Sequence, residues 1–438
     1  MERIKVAWVC HLMNPEIEKH IEYTLSKPNK IAIIVLKAIS YVSFGKFKKH
    51  VLNFVYMLTP HRLRDMAQWN TNGINEFKKF DDIDLFVVAP LHYISDSGLS
   101  YDDANIHYRF FHTEEDDFFT IIWKTIKTGL FNKGLGYRKN REIISRILND
   151  ISPEIVHVIG AECPEFSLSA VDVKKPIPLI AQLQSLQRYS LRVTGQKKRI
   201  PLMEAETRVL KRADYYGTTV DEFIKIVSTE INPQCINLSL NLALTEDVIE
   251  DEVEKTFDFV YFANTINKAV DLALAAFAIC KKKHPEITLD VIGGCPQEFK
   301  TQFDKMLEEY GINDSVKYEG LLPTHDDVLK QIRYSRFALL PLKSDIISGT
   351  IRESMASGIP VITTITSGTP KLNEKEHCVL LSPIGDHQAL ADNMSLALES
   401  PEIVSSMIKN SYKVASDRTS NFDYMSKWKE AYHKIVKR

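Results

Sequence analysis

Short apolar runs recur along the chain, each followed by a stretch whose apolar positions repeat every three to four residues. In the first half they are IKVAWVC (4–10), DLFVVAP (84–90), EIVHVIG (154–160), IPLIAQL (177–183) and DYYGTTV (214–220). In the second half they are FDFVYFA (257–263), TLDVIGG (288–294), VKYEG (316–320), FALLPL (337–342) and PVITT (360–364). Continuous apolar runs are the mark of strands buried on both faces, and parallel strands need helical crossovers between them. The pattern predicts the α/β class, with two doubly wound parallel sheets forming two Rossmann-like domains.

The boundary falls where the sequence turns acidic, between 236 and 256, just before the run that starts at Phe257. This gives an N-terminal domain over 1–240 and a second over 241–420. The last stretch, 421–438, sets Met425, Trp428, Tyr432 and Ile435 on one helical face. Such a face predicts a helix that docks back on a core, here that of the N-terminal domain.

At 438 residues the chain exceeds one ordinary core, in keeping with two domains. A net charge of -2 provides no general attraction to nucleic acid. Six cysteines are scattered without a CxxC pair, which points away from a zinc knuckle or disulfide framework and toward a reducing compartment. The N-terminal MERIKVAWVCHLMNP reads as a first buried strand rather than a signal peptide, and no run is long enough to span a bilayer. The expectation is a cytoplasmic protein.

Two segments break the soluble pattern. Residues 27–64 are rich in aliphatic and aromatic residues and carry eight Lys or Arg and no acid. Residues 118–141 repeat the mixture. Apolar helices edged by lysine suit an anionic lipid interface, and a buried helical pair with snorkelling lysines is the plainer alternative. The first reading makes an anionic membrane surface a partner and seats the protein on the inner face of the plasma membrane.

The candidate chemistry lies in SDIISGTIRESMASGIPVIT (344–363). A polar turn leads into a short helix holding Arg352 and Glu353, which stops at Gly358 before an apolar strand. The N–H groups of Ser348, Gly349 and Thr350 sit where a helix N-terminus favours an anion, and phosphate is the natural occupant. Asp345 and Glu353 cannot serve a phosphate, but their lone pairs suit sugar hydroxyls. The stretch reads as a clamp for a nucleotide sugar; an ordinary helix start capped by Ser348 is the alternative. A second small-residue turn, TSGTPKL (366–372), follows the next strand, and turns after successive parallel strands share the carboxyl edge where ligands bind.

The segment from Asp345 to Pro370 resembles the signature of glycosyltransferase family 4, whose members have the GT-B fold. That signature is an acid, seven residues, then Glu, followed by AMACGxPVI and a GTPEL turn; this chain has Asp345, Glu353, SMASGIPVIT and SGTPKL. EIVHVIGAECP (154–164), LDVIGG (289–294), 316–345 and GDHQALADNM (385–394) resemble family blocks in order.

The resemblance implies a retaining, metal-independent enzyme. It would transfer a hexosyl unit from a UDP- or GDP-sugar to a glycan or lipid-linked acceptor in cell-surface polysaccharide synthesis. On the matching positions, Glu353 would bind ribose, Asp345 a hydroxyl of the sugar, and the amides of Ser348, Gly349 and Thr350 the sugar or diphosphate. Lys268 would neutralise the leaving diphosphate, Gly294 would border the base, and His157, Gly160 and Glu162 would line the acceptor side, His157 as a catalytic candidate. Asn264 stands where the family has arginine, and Arg352 or Lys343 is the candidate replacement. A non-catalytic partner of another transferase, or an epimerase on the same fold, are the competing readings.

The remaining signals are weaker. DID (82–84) precedes a strand instead of ending one, so it reads as a solvated strand entry rather than a metal motif. His107, His112, His284 and His377 read as isolated surface or core histidines, KKKH (281–284) as a solvated helix end, and HTEEDDFF (112–119) as an acid run without a partner.

Overall fold

A computed structural model describes residues 3–42, 67–131, 133–243, 253–343, 348–366, 368–416 and 420–437. Between these it describes Lys48, Val51, Leu52, Val55, Leu58, Thr59 and Ile249. The chain forms two compact units, residues 1–244 with 420–438, and residues 245–419.

The first unit is built on an eight-stranded sheet of order β3-β4-β2-β1-β5-β6-β7-β8. Its strands are β1 (Ile4–Cys10), β2 (Ile83–Leu91), β3 (Leu99–Asp103), β4 (Ile106–His112), β5 (Ile155–Ile159), β6 (Leu179–Gln182), β7 (Tyr215–Gly217) and β8 (Ile236–Asn237). All pairings are parallel except β3 with β4. β1 runs down the middle, with Val6 opposite Leu85 on one side and Ile155 on the other. Its IKVAWVC run is almost wholly buried because both faces are covered.

β3 and β4 escape the apolar-run rule. LSYDD is an edge strand, largely exposed, and IHYRFFH mixes His and Arg with its apolar positions. Edge strands blunted with charge in this way do not look like buried ones in sequence.

The helix Asn421–Val436 closes this sheet. Met425, Trp428, Tyr432 and Ile435 are all buried among Val6, Trp8, Ile74, Phe77 and Ile83. The Tyr432 hydroxyl accepts a hydrogen bond from Trp8 Nε1 at 2.8 Å and lies 2.8 Å from His157 Nδ1. Trp428 Nε1 donates to the carbonyl of Asn241 at 2.7 Å. Asp82 at the start of β2 meets His433 at 2.8 Å and Lys429 at 3.0 Å. The DID stretch is therefore an ion-paired anchor for the closing helix, not a merely solvated strand entry, and it lies at the amino end of its strand.

The second unit holds a six-stranded parallel sheet of order β11-β10-β9-β12-β13-β14. Its strands are β9 (Phe257–Thr265), β10 (Leu289–Gly294), β11 (Val316–Gly320), β12 (Ser335–Leu340), β13 (Val361–Thr364) and β14 (Val379–Ser382). Successive residues of β9 feed opposite cores. Phe259 and Tyr261 join Phe277, Leu289 and Met394, while Val260 and Phe262 join Ile351, Met355 and Val361. β14 was not marked by the apolar runs.

Replacing Tyr432 with Phe removes the acceptor of a buried indole N–H and the partner of a buried imidazole. The expected cost is about 1–3 kcal/mol, because a buried polar group left unpaired loses its hydration without compensation. Denaturant unfolding of the first unit reads it; an unchanged midpoint would show that the hydroxyl ties nothing down.

Candidate active site

In a doubly wound sheet the crevice opens at the carboxyl ends of the strands where the chain order reverses. The second unit reverses between β9 and β12. β9 ends in Asn264 and Thr265, and the turn Ile266–Lys268 follows. Asn264 and Lys268 are exposed. The Tyr261 hydroxyl braces this turn, donating to the carbonyl of Ile266 and accepting from the N–H of Ala269, both at 3.3 Å.

Across the reversal, the chain leaving β12 is pinned by Thr364, whose hydroxyl accepts from Leu342 N at 2.8 Å and donates to Leu342 O at 2.7 Å. Ser348 to Glu353 then form the start of the helix Gly349–Ala356. Asp345 lies outside the described residues.

Among the described residues this helix begins without a side-chain cap. Ser348 has extended backbone, yet its hydroxyl meets Thr350 Oγ1 at 2.8 Å instead of bonding an amide of the first turn. The leading N–H groups of a helix have no acceptor within it, so they are directed at whatever lies ahead. A side chain added at Gly349 would sit 3.5 Å from Glu353 Oε1. That places the carboxylate beside the N-terminal backbone, largely buried and 3.8 Å from His325 Nε2. Burial lowers the His325 pKa, so at neutral pH that imidazole is uncharged.

Lys343, one candidate for the diphosphate cation, is 2.7 Å from Asp271 on the helix Val270–Lys283. Arg352 is half-buried on the 349–356 helix. The helix ends where the sequence placed a glycine: Gly358 has φ +66°, and the N–H of Ile359 reaches back to Ser354 O at 2.9 Å.

At the end of β10, Gly293 has φ +139°, and a Cβ there would lie 2.0 Å from Ala263 O. Only glycine lets β10 turn so close to β9, and this turn carries Gly294 alongside Asn264 O.

The first unit reverses between β1 and β5. Gly160 and Glu162 follow β5 directly, as the sequence suggested, and burial pushes the Glu162 carboxyl up to about 7. His157 does not face this edge. It is 0% exposed, in the middle of β5, bonded to Tyr432 and packed against Trp428 with the ring centroids 4.4 Å apart. Its catalytic assignment is therefore corrected to a core role. Alternation along the strand explains it: β5 is buried on both faces, so no mid-strand residue reaches solvent.

Four residues missed in the sequence gather at this edge instead. His11 follows β1, His92 follows β2, Glu115 follows β4 and Glu165 follows β5. His11 contacts the Glu165 carboxylate, and Glu115 takes the Lys124 ammonium and the Tyr137 hydroxyl. Burial and the neighbouring Glu115 raise the Glu165 pKa, so that carboxyl keeps its proton. Burial lowers His11 to about 4. The signal available in sequence was position alone, and only for His11, His92 and Glu165, which come after strands marked by apolar runs; Glu115 follows β4, which no run marked.

Ligand atoms of His92, Glu115 and Glu165 fall within 4.8 Å of one another, as do those of His112, Asp116 and Asp117. Neither set resembles a vacant metal cage. Glu115 is already paired with a cation, and both ring nitrogens of His112 are taken, at 2.8 Å each, by Asp96 and Asp116. Against its burial, those two carboxylates push His112 up to about 9. The acid run 112–119 thus has partners, and His112 is not isolated. His107 and His284 also pair, with Asp102 at 3.0 Å and Glu399 at 3.1 Å. A groove of about 740 Å³ in the first unit, lined by Arg138, Arg141, Asp172 and Lys174, lies toward the amino ends of β5 and β6, away from the carboxyl edge of that sheet.

Residues 245–414 match the family described as Glycosyl transferases group 1. The protein named as colanic acid biosynthesis glycosyltransferase WcaL of Escherichia coli (strain K12) is 28% identical over 30% of this chain and 33% of its own length. The amylovoran biosynthesis glycosyltransferase AmsK of Erwinia amylovora is 27% identical over 39% of this chain and 40% of its own. These matches span about a third to two fifths of each relative.

Sucrose-phosphate synthase from Thermosynechococcus elongatus superposes over 99% of this chain and 100% of its own, with TM-score 0.68 and 13% identity. Anabaena Alr3699/HepE, solved with UDP and glucose, does so over 85% of this chain and 98% of its own, with TM-score 0.59 and 13% identity. The fold is GT-B.

The core role of His157 has a pH signature. Burial lowers its pKa to about 3, from 6.5 when unfolded. The unfolded chain therefore binds the extra proton first as pH falls. The contribution is unchanged above pH 6.5 and is lost at about 1.4 kcal/mol per pH unit as pH falls from there toward 3. His157→Gln should flatten that part of the stability profile; an identical slope in the variant would place the imidazole in contact with solvent.

Proposed function

We propose that the chain is a glycosyltransferase of polysaccharide biosynthesis, of family 4 type, that binds its donor in the second unit. The observation that carries this reading is the helix start at 349, uncapped among the described residues, with Glu353 beside its first backbone groups, next to the chain reversal of a parallel sheet. The family match over residues 245–414 and the UDP-bound relative of the same fold support it.

The donor is a UDP- or GDP-sugar. The amides of Ser348, Gly349 and Thr350 receive the diphosphate or sugar, Glu353 the ribose hydroxyls, and Asp345 a hydroxyl of the transferred hexose. Gly294 leaves room at the border of the base, and exposed Asn264 offers an amide where an arginine would add charge. Lys268 stands at the end of β9, the strand paired with β12, and makes no ion pair among the described residues.

Transfer proceeds with retention. The bond from the anomeric carbon to the diphosphate oxygen breaks and its electron pair leaves with the diphosphate. The acceptor oxygen bonds to the same face of the carbon, and the acceptor proton passes to the departing phosphate oxygen. Lys268 and the helix N-terminus stabilise the charge that grows on the leaving group, so a metal ion is not required. The acceptor, a glycan or a lipid-linked glycan, meets the carboxyl edge of the first sheet near Gly160, Glu162 and the His11–Glu165 group. The enzyme works in the cytoplasm, peripherally on the inner face of the membrane.

A thermal-shift screen of nucleotide sugars identifies the donor, and product release is then followed with acceptor. Lys268→Ala should lower kcat about 100- to 1000-fold with little loss of donor binding, as for other single groups that stabilise developing charge. Glu353→Ala should weaken donor binding instead. Full turnover without Lys268 would refute the leaving-group role, and donor binding without any turnover would favour a non-catalytic partner.

A further inference from the structure

The first unit exposes an unusual amount of apolar surface in one place. On the helix Lys27–Val42, Ile31, Ile34, Val35, Ile39, Tyr41 and Val42 are exposed, Ile34 by 68% and Tyr41 by 84%. On the helix Phe118–Phe131, Phe119, Ile122, Trp123 and Phe131 are exposed, Phe119 by 70%. More than half of the exposed large apolar side chains in the described residues lie on these two helices and nearby Leu52. Their inward faces meet in a small core of Ala32, Ile33, Val55, Leu58 and Ile121. The plainer alternative, a pair buried on all sides, does not hold.

The two helices are bonded to the ligand edge of their sheet. Asn29, buried, donates to the carbonyl of Asp116 at 2.7 Å and accepts from the N–H of Phe118 at 3.0 Å. Asp116 in turn accepts from Tyr93 N at 2.6 Å, just beyond β2. Thus the turn that carries Glu115 also sets the angle of both helices.

Charge decides what covers this face. Lys27, Lys30 and Lys37 are exposed on the first helix, and Lys127 stands 5.3 Å over the Trp123 ring on the second. Neither helix contains an acid. Of the four acids that precede the second helix, three are already engaged by cations or imidazole, Glu115 by Lys124, Asp116 by His112 and Asp117 by Lys139, and Glu114 accepts from the N–H of Asn140. A second copy of the chain would bring lysine against lysine. Anionic lipid satisfies both halves of the surface, with aliphatic and ring side chains entering the acyl boundary and ammonium groups meeting phosphates.

We propose that the 27–42 and 118–131 helices form a preassembled docking face for an anionic bilayer, and that the Asn29 latch thereby holds the carboxyl edge of the first sheet at the lipid headgroups. Only the consequence for the acceptor, that it reaches this edge on a lipid carrier, rests on the proposed transferase activity. The docking itself does not.

The test uses the full chain with vesicles of phosphatidylcholine alone or mixed with phosphatidylglycerol. The chain should sediment with the mixed vesicles, less so at high salt, and hardly with phosphatidylcholine. Ile34→Glu with Trp123→Glu should weaken that partition by about tenfold or more, since both place charge where apolar side chains enter the interface. Near-ultraviolet circular dichroism and the nucleotide thermal shift report that the variant is folded.

In a second arm, brominated lipid should quench tryptophan fluorescence in the parent. Trp123→Phe should still bind but lose most of that quenching. Equal binding to both vesicle types, equal binding of the double variant, or a parent dimer that the double variant dissolves without any vesicle binding would each overturn the proposal. If vesicles bind but no nucleotide does, the docking face stands and the transferase reading falls.

Discussion

One phenol hydroxyl joins the two ends of the first unit. Tyr432 reaches between Trp8 on β1 and His157 on β5, the central pair of the sheet, and its helix covers the face that these strands present. The indole N–H, the hydroxyl and the imidazole Nδ1 are buried together, and any of them left unpaired would carry an uncompensated desolvation cost. Their geometry therefore fixes the angle of the closing helix, and with it the cover over Phe77 and the start of β2. Asp82 reinforces the same register from the rim through Lys429 and His433.

Both units use the same device to place chemistry. Parallel strands point their carboxyl ends in one direction, and a reversal in strand order parts the connections that would otherwise fill the edge. In the second unit, β9 and β12 flank that parting and deliver a lysine-bearing turn and a helix start. In the first, β1 and β5 flank it and deliver an imidazole and a protonated carboxyl. The two edges differ in kind. One carries a helix start and an exposed lysine; the other carries acids and imidazoles.

Much of this was readable from the chain. Ten strands stood out because a strand covered on both faces has no room for alternation, as in IKVAWVC and FDFVYFA. The stop at Gly358 was readable because only a residue without a side chain takes that backbone turn easily. His157 misled because a histidine in a buried strand looks, in sequence, like one at its end; three further residues in EIVHVIG separate a core contact from an edge. His11, His92, Glu115 and Glu165 were invisible as a group. They lie far apart along the chain, and only strand order brings them together. β3 was missed because a polar edge strand carries the composition of a loop, and β4, which lies inside the sheet between β3 and β2, because His and Arg interrupt its apolar run.

The first unit is discontinuous in sequence, since the whole second unit is inserted before its closing helix. On the ribosome, residues 245–419 emerge complete and can bury both faces of their sheet at once. The earlier-made sheet must meanwhile wait with Trp8, Phe77 and the imidazole of His157 uncovered until the final helix is released. Its two lysine-edged helices are available from the start, so this half emerges with two sticky surfaces and closes only one of them by itself. Until then this nascent half carries exposed apolar surface of the kind that makes folding intermediates prone to aggregate.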